Sequence, residues 1–144
     1  MKSLDELREE SNEELIKMLE KYHNYVFVEF FRHVIIDSKE VDVVAYFKTP
    51  RKELMRSFGF ELKENNIYKA LLQAFDRSSF FNHFYVVMDL SPVTFFRYLS
   101  PYEFKEIKEH KIGIILRNQI VIPSIFKKAV WPIQTSLPHD STNE

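Results

Sequence analysis

The residues in this chain whose types and spacing can do chemistry are Asp42, Glu61 and Lys63. Val41-Asp42-Val43-Val44-Ala45 carries one carboxylate inside an apolar run, and Phe60-Glu61-Leu62-Lys63 carries a carboxylate and an ammonium inside a second. A charge buried alone is strongly unfavourable, so charges in such runs imply a partner, an exposed face or a bound metal. Adjacent strands lie about 4.8 Å apart, close enough for two carboxylates on neighbouring strands to repel. A divalent cation removes that repulsion, and carboxylate oxygens with retained waters are what magnesium prefers. Such an ion polarises a phosphoryl oxygen and lowers the pKa of bound water, while an ammonium beside it orients the water or steadies charge growing on the phosphate. Phosphodiester hydrolysis needs those functions. The plainer alternatives are an Asp42 that follows a turn and faces water, and a Glu61–Lys63 face of cross-strand ion pairs that adds little to stability.

Those three side chains need elements to hold them. Leu15, Met18, Leu19 and Tyr22 recur at spacings of three and four, which predicts a helix over 12–23. Ser3 with Glu6 and Ser11 with Glu14 have capping-box spacing, and Asn24 tolerates the left-handed backbone that ends a helix. Tyr25 to Ile36 and Val41 to Phe47 flank the polar run Asp37-Ser38-Lys39-Glu40 and read as a β-hairpin. Met55 to Lys63 reads as a third strand, with Phe58, Phe60 and Leu62 on one face and Glu61 and Lys63 on the other. Ile67, Ala70, Leu71, Ala74 and Phe75 predict a second helix to about Ser79, and Phe84 to Met88 a buried strand. Ser91-Pro92 and Ser100-Pro101 open helical turns over 92–109, with Glu103 completing a capping box. Lys111 to Leu116 and Gln119 to Ile122 close the pattern around Arg117-Asn118. The order α-β-β-β-α-β-α-β-β describes an α/β (α+β) class with a mixed central sheet flanked by helices.

The 144 residues suit one domain over 1–136, with a polar, frayed tail at 137–144. Fourteen Phe against two Gly predict an aromatic core and make Gly59 and Gly113 informative positions. A net charge of −1 neither favours nor excludes a polyanionic partner, and the absence of cysteine removes thiolate metal sites and cysteine nucleophiles. A charged N-terminus and the lack of a long apolar run suggest a cytoplasmic chain. His23, His33, His83, His110 and His139 lack metal-ligand spacing and read as structural or solvated, and no serine triad or Gly-rich phosphate loop is supported. Lys48, Arg51, Lys52 and Arg56 form a basic loop able to contact phosphates near the three charged residues. Lys127-Lys128 before Trp131 reads first as a C-terminal anchor or dimer contact, and second as a stacking platform.

Asp42 followed by the triplet Glu61-Leu62-Lys63, then a helix and the strand Phe84-Tyr85-Val86-Val87, resembles the PD-(D/E)xK nuclease superfamily. The likeness covers roughly residues 12 to 116 and is nearest to the archaeal Holliday junction resolvase-like branch of the restriction endonuclease-like fold. It implies catalytic roles for Asp42, Glu61, Lys63 and Gln73, and a Mg²⁺ site, with Mn²⁺ able to substitute, at Asp42, Glu61, Leu62 and Glu14. It further implies a DNA substrate met by Lys69, to which the basic loop's Lys48, Arg51 and Lys52 would add phosphate contacts, and a homodimer. Val41 stands where the superfamily's motif has proline, and the helix stripe turns Asn12 inward more directly than Glu13 or Glu14. Glu14 also has a structural task in the capping box with Ser11, and Gln73 suits a helix surface. The expectation is a magnesium-dependent DNA endonuclease, with a non-catalytic nucleic-acid- or protein-binding module and an unrelated α+β domain as the alternatives.

Overall fold

The Leu15, Met18 and Leu19 stripe lies on helix α1 (Asn12–His23) of the computed structural model, which describes residues 12–62 and 66–130. Asn24 ends the helix at φ 58°, and the Tyr25 and Phe27 N–H groups donate to the Glu20 carbonyl (3.1 Å) and carboxylate (2.8 Å), turning the chain into the sheet. Strands β1 (Val26–Ile36) and β2 (Lys39–Lys48) join through Asp37 and Ser38, both at positive φ, a turn whose twist matches that of the strands. Strand β3 (Met55–Leu62) leads to helix α2 (Ile67–Arg77), where the Asn66 side chain accepts the Lys69 N–H at 3.0 Å. A 3₁₀ turn (Ser78–Phe80) precedes β4 (His83–Met88). The expected helical turns form two helices, α3 (Pro92–Arg97) and α4 (Pro101–Glu109), the second with the Ser100–Glu103 capping box. Strands β5 (Gly113–Leu116) and β6 (Gln119–Ile122) follow, β5 starting later than expected because Lys111 takes φ 58° just after α4.

The six strands lie side by side in chain order. β1, β2 and β3 form an antiparallel meander, β3, β4 and β5 run parallel, and β6 returns antiparallel. α2 makes the β3–β4 crossover and α3 with α4 the β4–β5 crossover, so the protein is a mixed α/β sheet flanked by helices, as the element order predicts.

Strand alternation separates two apolar layers. Ala45, Phe47, Phe58, Phe60, Tyr85 and Val87 meet Leu19 of α1. Val44, Tyr46, Phe84, Val86 and Ile114 meet Ala70, Leu71 and Ala74 of α2, Phe95 of α3 and Ile107 of α4. At both glycines backbone and rings approach too closely for a side chain. A Cβ on Gly113 would stand 2.1 Å from the Tyr85 ring and 2.6 Å from the Ser124 nitrogen, and one on Gly59 2.6 Å from the Phe84 ring.

The chain after β6 is an anchor. Lys127 and Val130 donate their N–H groups to the Asn82 and Ser79 carbonyls (3.1 and 2.8 Å), and Lys127 Nζ reaches the His110 carbonyl (2.9 Å) and Ser78 Oγ (3.1 Å). Ser3, Glu6, Ser11, Trp131, His139 and the expected tail at 137–144 lie outside the described residues. Among the described residues no helix is long and apolar enough to cross a membrane.

Candidate functional site

The β2–β3 ladder runs as far as Val43 opposite Phe60, and one further step in that register sets Asp42 against Glu61. Alternation gives Asp42 the face of Val44 and Tyr46, and Glu61 that of Gly59, which is the α2 layer in both cases. Where backbone pairing stops, the Asp42 side chain takes over, its Oδ2 accepting the Leu62 N–H at 2.8 Å. Asp42 is half-buried and Glu61 only 2% exposed, a carboxylate inside the core. The pair sits where β3 leaves the sheet for α2, at the carboxyl end of the parallel strands, where open α/β sheets form their ligand crevices.

Gln73 lies on α2, the helix that covers this layer. Arg77 Nη1 donates to the Gln73 carbonyl (3.3 Å) and Arg77 Nε to the Glu40 carbonyl (2.9 Å), while Lys39 Nζ and Asp76 Oδ1 are 2.9 Å apart. These contacts clamp α2 to the start of β2, two residues before Asp42. The Gln73 side-chain oxygen is buried and accepts no hydrogen bond among the described residues. A buried acceptor without a donor costs roughly 1–3 kcal/mol, so the position calls for a reason.

This donor set fits magnesium. Two carboxylates on one face, a neighbouring peptide and an amide oxygen without a donor are all hard oxygens, and magnesium is held by one or two carboxylates with its remaining positions on water or phosphate. Among the described residues no group of three or more His, Cys, Asp or Glu side chains converges, so a site with a larger protein ligand set is not formed by them.

Two sets of expected site residues are not brought to Asp42 and Glu61 by the geometry. Lys48, Arg51 and Lys52 lie at the opposite end of the β2–β3 hairpin, six residues of strand from Asp42, or about 20 Å at about 3.3 Å per residue. The loop joining two antiparallel strands cannot share an end with the start of the first, and Lys48 is instead paired with Glu53 at 2.8 Å. Glu14 is exposed in the first turn of α1, a helix that packs on the other apolar layer, so it is not brought to Asp42 and Glu61. Lys69 is exposed in the first turn of α2, at the same end as Glu61. Lys63 lies outside the described residues.

Sequence reasoning missed a buried polar network at the far end of the sheet. His23 Nε2 and Tyr85 Oη are 2.7 Å apart, and the Ser124 N–H donates to Tyr85 Oη at 3.1 Å. His83 Nδ1 lies 2.7 Å from Ser124 Oγ, and its Nε2 lies 3.2 Å from Tyr25 Oη. Burial pushes the His83 pKa down to about 3, with the His23 and Arg56 charges adding to the effect, and burial pushes His23 to about 4. Burial likewise raises the Tyr85 hydroxyl. Ser124 beside His83 has the composition of a nucleophile and base, but both are buried beneath the anchor segment, and the network is a structural core. The i, i+2 spacing of His83 and Tyr85 was the available signal, since it puts both on one face of β4.

Set against protein-family models, curated proteins and solved structures, the chain matches none of them.

Proposed function

We propose that this protein is a magnesium-dependent nuclease of the PD-(D/E)xK superfamily, built on the restriction endonuclease-like fold and closest to its archaeal Holliday junction resolvase-like branch. On this reading it is a cytoplasmic homodimeric endonuclease that hydrolyses DNA phosphodiester bonds. The observation that carries the proposal is the Asp42 carboxylate seated on the Leu62 N–H at 2.8 Å, on the same layer as the buried Glu61. An acidic residue early in β2, a second at the end of β3 and a helix immediately after it also support the superfamily reading.

When bound, magnesium or manganese supplies Lewis acidity at the scissile phosphate and a more acidic water. The chain's own contributions follow from its geometry. The Leu62 N–H fixes the Asp42 carboxylate and leaves its second oxygen for the ion, and Glu61 with the Leu62 carbonyl would complete the protein's share. Gln73 offers its donor-less oxygen to a bound water. Lys63, two residues after Glu61 in the motif, is assigned the orienting of the attacking water by the family resemblance. That water gives up one proton to solvent as its oxygen bonds to phosphorus, the bond from phosphorus to the departing nucleotide's oxygen breaks, and the departing oxygen takes a proton from solvent in return, so that one water is consumed. The products are one phosphate-ended and one hydroxyl-ended strand.

Incubation with labelled linear, single-stranded and four-way-junction DNA in Mn²⁺ tests the proposal. Wild type should cleave, and Asp42→Ala and Glu61→Ala should not, while both stay folded by circular dichroism. Full cleavage by purified Asp42→Ala would falsify the assignment. One observation favours a second reading, a non-catalytic module binding nucleic acid or protein: Glu14, the third acid of the expected site, stands apart from the other two. Such a module binds its partner without cleaving it and without any dependence on metal.

A further inference from the structure

The surface beside the proposed site carries tyrosines where a helical face ordinarily carries charge. Tyr68 in the first turn of α2, Leu72 one turn later, Tyr98 after α3 and Tyr102 in α4 are 48%, 62%, 53% and 60% exposed. The Tyr68 hydroxyl donates to the Tyr98 carbonyl at 2.5 Å and so joins α2 to the α3–α4 corner. Phe96 and the exposed Phe104 stack at that corner with ring centroids 5.7 Å apart. Lys69 follows Tyr68 and Arg97 precedes Tyr98, both exposed, and neither forms an ion pair among the described residues. The acids nearby are engaged: Asp76 with Lys39, Asp89 with Arg117 and Glu103 with the Ser100 cap. Lys69 and Arg97 are therefore cations without an ion-pair partner among the described residues, while Glu103 keeps its charge on the Ser100 cap, so the surface carries more unpaired positive than negative charge. α2, which carries Tyr68, begins five residues after Leu62, the residue whose N–H holds Asp42.

We infer that this tyrosine surface is a stacking platform for an unpaired, single-stranded segment of DNA, leading the strand toward the Asp42–Glu61 site. Flat exposed rings interleaved with cations that are unpaired among the described residues match bases and phosphates of an open strand, whose bases are available to stack. In a duplex the bases already stack on one another, so the platform selects single strands over paired ones. The inference rests on the nuclease reading for the direction of the strand, but the binding it asserts is independent of metal and of cleavage.

Fluorescence anisotropy with a labelled oligothymidylate and a duplex of equal length, in EDTA, tests it on the full chain. The wild type should bind the single strand at least tenfold more tightly than the duplex. Tyr68→Ala and Tyr98→Ala should each weaken single-strand binding by about tenfold, the scale of losing one stacked base. Tyr68→Phe, which keeps the ring and loses only the hydroxyl contact, should bind as the wild type does. Lys69→Ala should lower the slope of log affinity against log salt by about 0.7, as expected for one phosphate contact on a single strand. Exposed Tyr102→Ala serves as a second probe should Tyr68→Ala fail to fold. Equal affinity for both DNAs, no binding at all, or unchanged affinity in the alanine variants would overturn the platform. Loss of cleavage in Asp42→Ala with single-strand binding intact supports both readings. Metal-independent binding without any cleavage by the wild type removes the nuclease reading and keeps the platform.

Discussion

Lowering the pH from 6.5 to 4.5 should destabilise the fold through its buried histidine pair. Both rings are held neutral, His83 down to about 3 by burial and then by the His23 and Arg56 charges, and His23 down to about 4 by burial, against 6.5 in the unfolded chain. As pH falls through 6.5 the unfolded chain takes up protons that the folded one refuses, so stability is lost downward through this window. Each full pH unit corresponds to about 1.4 kcal/mol per such group, and because the unfolded histidine is already half protonated at pH 6.5, buried His83 loses about 2 kcal/mol across the two units. His23 is partly solvated, and screening reduces its share to about 1 kcal/mol. A loss of about 3 kcal/mol is a large part of the roughly 5–15 kcal/mol that keeps a typical domain folded. Glu53 and Glu103, whose carboxyls lie below 4.5 through their bonds to Lys48 and Ser100, lose stability only below this window. Urea unfolding followed by circular dichroism at both pH values reads the effect, with His83→Gln as the control that keeps a neutral polar group. Wild-type stability unchanged between the two pH values, or a loss in His83→Gln as large as that in the wild type, would refute the role given to the histidines.

Three further outcomes follow from packing and hydrogen bonding. Gly113→Ala forces a methyl into the Tyr85 ring and the Ser124 backbone, and should cost about 3 kcal/mol, read as a drop in thermal midpoint. Gln73→Leu removes an acceptor that has no donor; it should raise stability by about 1 kcal/mol while lowering Mn²⁺-dependent cleavage at least tenfold, and a destabilised variant with full activity would contradict its role. Lys127→Met strips the His110 carbonyl and Ser78 hydroxyl of a donor and should cost about 2 kcal/mol, with faster amide exchange at Val130.

The elements were legible because this chain announces them locally. Alternation in Phe58-Gly59-Phe60-Glu61-Leu62 set the two faces of β3, and Ser100 with Glu103 marked a helix start that the capping box fills. Asp37-Ser38 marked a turn that both residues close at positive φ. The Asp42–Glu61 opposition was legible too, since an antiparallel pair between those runs leaves little freedom of register. Longer-range relations were not. The distance of Lys48, Arg51 and Lys52 from Asp42 depends on strand direction, and composition carries no sign of it. The side of the sheet that α1 covers, which separates Glu14 from Asp42, is decided by tertiary packing around Leu19. His23, His83 and Ser124 come together only once α1, β4 and the segment after β6 are assembled, and their spacing along the chain says nothing of it.

Calorimetric titration of Mg²⁺ into the wild type, Asp42→Asn and Glu61→Gln tests the central claim most directly. The amide replacements keep the shape of each side chain, and the amide oxygen of the Asp42→Asn variant can still accept the Leu62 N–H, so a change in binding reports the charges rather than the fold. The wild type should bind magnesium saturably, and each variant should lose at least tenfold in affinity while its thermal midpoint holds. Superimposable titrations for all three proteins, or no magnesium binding by the wild type, would contradict the account.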